Sequence, residues 1–197
     1  DIRFNTEIND LGILRGYDEI IVATGAVPRK MLIPGFEKCL TFTQLLREKY
    51  PVGDKVVFFG GGQSACEAAY EMVLQGKHPI IVEYAKDLVP AQNVCLSNAS
   101  FLRDVLEYHK VPTYLEHTIR EIKDKTVVIA SKDGKNVFEV EYDNIVNGIG
   151  FVPTPVGGKT ASKKVKGKET IYRVGDCVAI GNLRTVIWRA WDVCMKI

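Results

Sequence analysis

No apolar run in this sequence approaches the roughly 20 residues that a helix needs to cross a bilayer, and no charged-then-apolar leader opens it. An excess of charge is missing too. The 26 Lys and Arg against 24 Asp and Glu leave a formal +2, so there is no bulk attraction to nucleic acid or to a membrane surface. The five cysteines, Cys39, Cys66, Cys95, Cys177 and Cys194, are scattered, and none stands at the Cys-x-x-Cys spacing of a redox dithiol or metal knuckle. That spacing excludes a dithiol-dependent disulfide reductase and fits a reduced compartment; a cytoplasmic, water-soluble protein is expected. The chain starts at Asp1 without a methionine, and its first residues read as part of a sheet, so a piece of a longer protein is expected. What is present is a hydrophobic share of 46%, enough to fill a proper core.

Four segments are short, rich in β-branched residues and closed by glycine: Asp18–Thr24, Lys55–Phe59, Pro79–Glu83 and Asn144–Ile149. They read as central parallel strands. Between the second and third, Ala65, Ala69, Met72 and Val73 recur at helical spacing and Gly76 follows as a stop, so Gln63–Gln75 is predicted to be a helix. Strand, helix and strand in about 30 residues make one βαβ unit. A second helix is predicted over Asn98–His109 and a third over the tail Thr185–Ile197. The alternation in Ile119–Tyr142, broken by the turn Lys132-Asp133-Gly134-Lys135, predicts antiparallel strands on the edge of the fold.

Two stretches read as joints. Pro28–Gly53 carries three prolines and two glycines around a short helical pattern, Thr43–Lys49; Val152–Thr170 carries prolines, glycines and five lysines. The lysine run reads as a solvated loop, with a phosphate-binding patch as the alternative. The expected domains are therefore 1–52, 53–152 and 153–197, the middle one complete and the outer two partial.

The segment that carries chemistry is Lys55-Val-Val-Phe-Phe-Gly60-Gly61-Gly62-Gln63-Ser64-Ala65-Cys66-Glu67, which fits G-x-G-x-x-A after a strand and at the start of a helix. Gly60 permits the tight turn out of the strand, Gly62 lets a pyrophosphate approach the backbone, and small Ala65 allows close helix-to-sheet packing. The phosphates would then sit on the helix N-terminus, among free N–H groups. Glu83 ends the next strand, about 20 residues beyond the glycines, where a carboxylate accepts hydrogen bonds from the adenosine ribose and repels a 2′-phosphate. NADH is thus expected over NADPH. Glycine triplets also make ordinary turns, so a nucleotide-free sheet of the same shape is the competing reading.

Three further segments widen the pattern. Tyr17-Asp-Glu-Ile-Ile-Val-Ala-Thr24-Gly25-Ala26-Val-Pro28-Arg29 resembles the "ATG" strand of two-dinucleotide flavoproteins, followed by Ile33-Pro34-Gly35 where such chains cross into the NAD domain. Asn144-Ile-Val-Asn-Gly148-Ile-Gly150-Phe-Val-Pro153 resembles the returning strand, and Ile171-Tyr-Arg-Val-Gly175-Asp176-Cys177 the "GD" motif. Their order is similar to the C-terminal half of the NADH:flavin oxidoreductases related to old yellow enzyme, of the 2-enoate reductase and 2,4-dienoyl-CoA reductase kind.

The resemblance implies an α/β fold in which a Rossmann-like NAD domain is inserted in a partial FAD-binding domain. It implies that NADH passes hydride to FAD here, and that electrons continue through an iron-sulfur cluster to an FMN on a barrel that reduces an activated C=C bond. The barrel, the cluster cysteines and the first strand-glycine-helix of the FAD domain would lie upstream of Asp1. The cofactor-binding set is then Gly60, Gly61, Gly62, Gln63, Ser64, Ala65 and Glu83 for NAD(H), Thr24, Gly25 and Asp176 for FAD, and Gly148 and Gly150 on the returning strand. Without the upstream cradle, the fragment alone is expected to be inactive. A non-catalytic NAD-binding or redox-sensing module is the alternative.

Other residues carry two readings each. Glu67 sits one turn into the helix, as a cap or a cofactor contact. Cys66 and Cys177 read as packing against the sheet. His78, His109 and His117 stand at element ends without ligand spacing, which gives surface roles. Trp188 and Trp191 read as core or interface packing, or as a cover for flavin. Hydride transfer needs no acid-base side chain, so no catalytic residue and no metal ligand is assigned.

Overall fold

The structure, a computed structural model, describes residues 1–90, 94–156 and 171–197, with the backbone alone at 164–165 and 168–169. The chain divides into two compact units, Asp1–Val27 with Phe151–Ile197, and Pro28–Gly150. The segment 28–52, expected with the first outer piece, therefore packs with the central unit. The reason lies in its apolar residues. Leu40 and Leu45 are buried in the same cluster as the helices, and Leu40 exchanges backbone hydrogen bonds with Ile145 and Asn147.

In the first unit, β1 (Ile20–Val22) runs parallel to β13 (Ile171–Arg173) and β2 (Ala26–Pro28) pairs with β10 (Phe151–Pro153). Residues 1–10 form no strand; a short 3-10 turn at Leu11–Leu14 comes first, so the expectation of a sheet at the very start is not met. Most of the lysine run at 152–170 lies outside the described residues; within it, β11 (Lys164–Val165) and β12 (Lys168–Glu169) pair antiparallel. The helix α3 (Leu183–Cys194) starts at a capping box between Asn182 and Thr185. Trp188 and Trp191 on it are 60% and 59% exposed, so within this unit they are not core residues.

The second unit is built on a four-stranded parallel sheet in the order β5 (Thr113–Leu115), β4 (His78–Glu83), β3 (Lys55–Phe59) and β9 (Asn144–Asn147). The four predicted strands thus split: three share this sheet, while Ile20–Val22 belongs to the first unit and Thr113–Leu115 takes the vacant place. Side chains alternate across a strand, and here both faces are covered. Val56, Phe58, Ile81 and Val146 face α1 (Gln63–Leu74) and α2 (Leu96–Tyr108). Val57, Phe59, Val82 and Ile145 pack instead with Ile119, Ile122, Val127 and Ile129 of an antiparallel meander, β6 (His117–Ile122), β7 (Thr126–Ser131) and β8 (Val137–Glu141). Three layers result, and Val56, Val57 and Phe58 lose all contact with solvent. Each such burial stabilises by about 1.5–3 kcal/mol.

The helix α1 ends as its sequence predicts. Gly76 adopts φ +74°, its N–H donates to Val73 O and that of Lys77 to Met72 O, which is a Schellman termination. Between β7 and β8, Gly134 takes φ +73° in the expected turn.

Candidate dinucleotide site

The turn from β3 into α1 is held by the strands on either side. Gly60 N–H donates to Val82 O at 2.8 Å, and Gly148 N–H donates to Phe59 O at 2.8 Å. Gly60 has φ +111°, and a Cβ placed on it would lie 2.4 Å from Gly148 O, so glycine is required there by the protein itself. Gly148 is tight from the other side, though less so: a Cβ on it would meet that of Ala65 at 3.1 Å. Helix α1 and strand β9 can therefore approach only because Ala65 is small and Gly148 bare.

Gly62 is different. Its φ of −68° and ψ of 173° suit any residue, and a Cβ built on it has no neighbour within 4 Å among the described residues. Among the described residues, no atom requires glycine at this position. Gly62 is also the N-cap of α1 and offers no side chain to the first-turn N–H groups of Gln63, Ser64 and Ala65. Such an end attracts anions. Ser64 is exposed, Ala65 is buried, and the Gln63 amide donates to Glu67 Oε1 at 2.7 Å, which occupies Glu67 on the helix surface.

Glu83, half-buried at the end of β4, is bound to the glycine turn. Its Oε2 accepts the Gly61 N–H at 2.5 Å and its Oε1 the Ala85 N–H at 2.6 Å. A carboxylate has about four lone-pair positions, and these two bonds use one on each oxygen and fix its orientation. The Lys132 ammonium lies 4.5 Å above the ring of the adjacent Tyr84.

The remaining predicted residues have mainly structural partners. Gly150 O accepts Arg29 N–H at 2.9 Å. In the first unit the Thr24 hydroxyl donates to Thr154 O at 2.5 Å while Thr154 returns a bond to Thr24 O, and Gly25 turns with φ +69°. Asp176 Oδ1 accepts Gly181 N–H at 3.1 Å, which shapes the turn before α3. Sequence patterning does not single out Asn147, a buried polar side chain whose amide donates to Arg29 O at 2.8 Å. Nor did it indicate the Leu88–Val89 segment that folds back on Gly61; the apolar run Leu88-Val89-Pro90 was the available signal.

The thiols divide by environment. Burial pushes Cys66 and Cys39 up to about 12, with Glu83 adding to the first and Glu37 to the second. Cys66 Sγ donates to Gly61 O, so it is a packing element of the turn, and Cys177 is likewise buried, donating to Val174 O. Cys95 is exposed and its thiol is shifted down by hydrogen bonds from the Ser97 side chain and the Asn98 and Ser97 backbone. Because the thiolate is the nucleophile, iodoacetamide near neutral pH is expected to label Cys95 well ahead of Cys39 and Cys66, which should react only after unfolding. Peptide mass spectrometry across a labelling time course checks this order. The histidines have local partners: His78 with Asp54 at 2.9 Å, His109 with the Tyr70 and Tyr108 rings, His117 with Leu115 O at 2.6 Å.

A three-layered unit with a strand, an open glycine turn, an uncapped helix and a strand-terminal glutamate defines a Rossmann-like dinucleotide-binding domain, here placed between two pieces of another unit. The chain belongs to the pyridine nucleotide-disulphide oxidoreductase family, whose sequence pattern matches residues 12–196. It is 29% identical over 184 residues to cinnamate reductase of Clostridium sporogenes, covering 92% of this chain and 27% of that protein. It is 27% identical over 197 residues to nitrite reductase [NAD(P)H] of Bacillus subtilis, covering 90% and 24%. Among solved structures it is similar to 2-naphthoyl-CoA reductase in complex with 2-naphthoyl-CoA, with a TM-score of 0.74, 26% identity and coverage of 91% and 27%. Thioredoxin reductase of T. acidophilum shares the fold, with a TM-score of 0.66 at 18% identity and coverage of 89% and 62%. The fold is thus that of two-dinucleotide flavoproteins, in a chain that spans about a quarter of the first two relatives.

Proposed function

We propose that this chain is the NADH-binding part of an NADH-dependent flavin oxidoreductase that reduces an activated C=C bond. The observation that carries the reading is the pairing of an unobstructed Gly62 with Glu83, whose carboxylate is already locked onto the same turn. Gly62 and the N–H groups of Gln63, Ser64 and Ala65 would take the pyrophosphate, and Glu83 the adenosine ribose. Bound there, NADH would supply a hydride that FAD would accept. Asp176 and the Gly25 backbone are the proposed flavin contacts of this chain; Thr24 acts by tying the Thr154 segment beside them. No side chain here needs to move a proton during that step, because the residues bind and orient. The C=C substrate class is supported by the likeness to cinnamate reductase and 2-naphthoyl-CoA reductase.

Calorimetric titration with NADH and NADPH tests the assignment. NADH is expected to bind more tightly, and Glu83→Arg to lower NADH affinity by about tenfold, the worth of a charge-assisted hydrogen bond, while narrowing the preference. Equal or tighter NADPH binding by the unaltered protein would remove the role given to Glu83.

A further inference from the structure

We propose that Arg103 is a positioning residue for the dinucleotide turn, acting through the loop that follows β4; the inference rests on the NADH reading above. Arg103 lies on α2, well away in sequence from the glycines. Its Nε and Nη2 both donate to Leu88 O, at 3.0 and 2.8 Å, and Nε stands 3.1 Å from Asp87 Oδ2. A planar guanidinium that places two donors on one carbonyl fixes the direction of that carbonyl as well as its distance. The loop held in this way reaches the site directly. Val89 N–H donates to Gly61 O at 2.8 Å, and the Leu88 side chain closes over Gly61 so tightly that a Cβ there would meet its Cδ2 at 2.6 Å.

Gly61 is consequently held at both ends, its N–H by Glu83 and its carbonyl by Val89 and the Cys66 thiol. The peptide that leads into Gly62 has its orientation set by these bonds. The loop is locally strained, although the Asp87 carboxylate accepts the Leu88 N–H at 2.8 Å. Val89 has φ +50°, a region that β-branched residues rarely enter, and such a conformation persists only when the surroundings over-determine it. Arg103 is the tie that reaches this loop from the second helix. Released from it, the loop would hold the Gly61 carbonyl less firmly, and part of the cost of fixing that peptide would be subtracted from binding.

The test compares Arg103→Met and Arg103→Lys with the unaltered protein in calorimetric titrations of NADH and NADPH, with affinities expressed per folded molecule. Loss of both donors in Arg103→Met is expected to weaken NADH by about tenfold and to narrow the preference over NADPH, because Glu83 is fixed on the same turn. Arg103→Lys, which keeps the ion pair with Asp87 and one donor, should fall between. A merely structural role would lower the melting temperature and leave both affinity and preference where they were; that result overturns the inference. Should the methionine variant not fold, the lysine variant decides alone, and an affinity and preference equal to the unaltered protein overturn it. Failure of the unaltered protein to bind NADH is a separate outcome that removes the NADH reading itself.

Discussion

Gly62→Val is expected to leave the fold nearly intact and to weaken NADH binding by about two to three orders of magnitude, the worth of two charge-assisted phosphate bonds. The asymmetry follows from the space around the residue. A Cβ at Gly62 meets no atom of the described residues within 4 Å and needs no unusual backbone angle, so the protein feels mainly the exchange of an N-cap residue. That exchange costs about 1 kcal/mol, a few degrees in melting temperature. The same side chain would fill the volume over the first turn of α1 where phosphate oxygens must come within hydrogen-bond distance of backbone N–H groups. Titration and thermal unfolding of one variant give both numbers. An NADH affinity within about threefold of the original would show that phosphates do not use this turn.

The neighbouring Gly60→Ala change is expected to do the reverse. A methyl group there would lie 2.4 Å from Gly148 O and 2.6 Å from Gly148 C, atoms of a backbone locked into the sheet, and φ +111° is itself hostile to a side chain. Strain and overpacking together should cost about 3–5 kcal/mol, lowering the melting temperature by on the order of 10 °C. Whatever NADH binding is lost in this variant should be recovered in proportion to the folded fraction at low temperature. A melting temperature equal to that of the original would mean that β3 and β9 do not approach as closely as described. The two glycines, two residues apart, thus separate requirement by the protein from requirement by its ligand.

Much of the second unit was legible because its local and tertiary signals agree. Lys55–Phe59 matches its strand residue for residue, and Gln63–Leu74 is a helix whose buried Ala65, Ala69 and Met72 are the periodic ones, closed by Gly76. The meander showed itself through alternation, since one of its faces packs and the other is wet. Thr113–Leu115 was missed for the opposite reason. It is a three-residue edge strand directly after Pro112, too short for any period, and its position depends on pairing with Ile81–Glu83. Ile20–Val22 carries the composition of a central strand, and composition does not say which sheet a strand joins. The meeting of Glu83 with the glycine turn could be read from spacing alone. Arg103 could not, because its partners are backbone atoms of a loop, and a carbonyl leaves no trace in the identity of the residue that bears it.

The Pro28–Gly150 unit begins and ends almost at the same point, since Arg29 N–H donates to Gly150 O and the Asn147 amide grips Arg29 O. A module whose two ends are pinned side by side presents its host with a gap no wider than a peptide hydrogen bond. It can be inserted into another chain, or exchanged for a variant with a different cofactor preference, without re-routing the host backbone. The clamp at Asn147 thus gives this unit the mechanical form of a cassette, and it offers engineers natural splice points at Pro28 and Gly150.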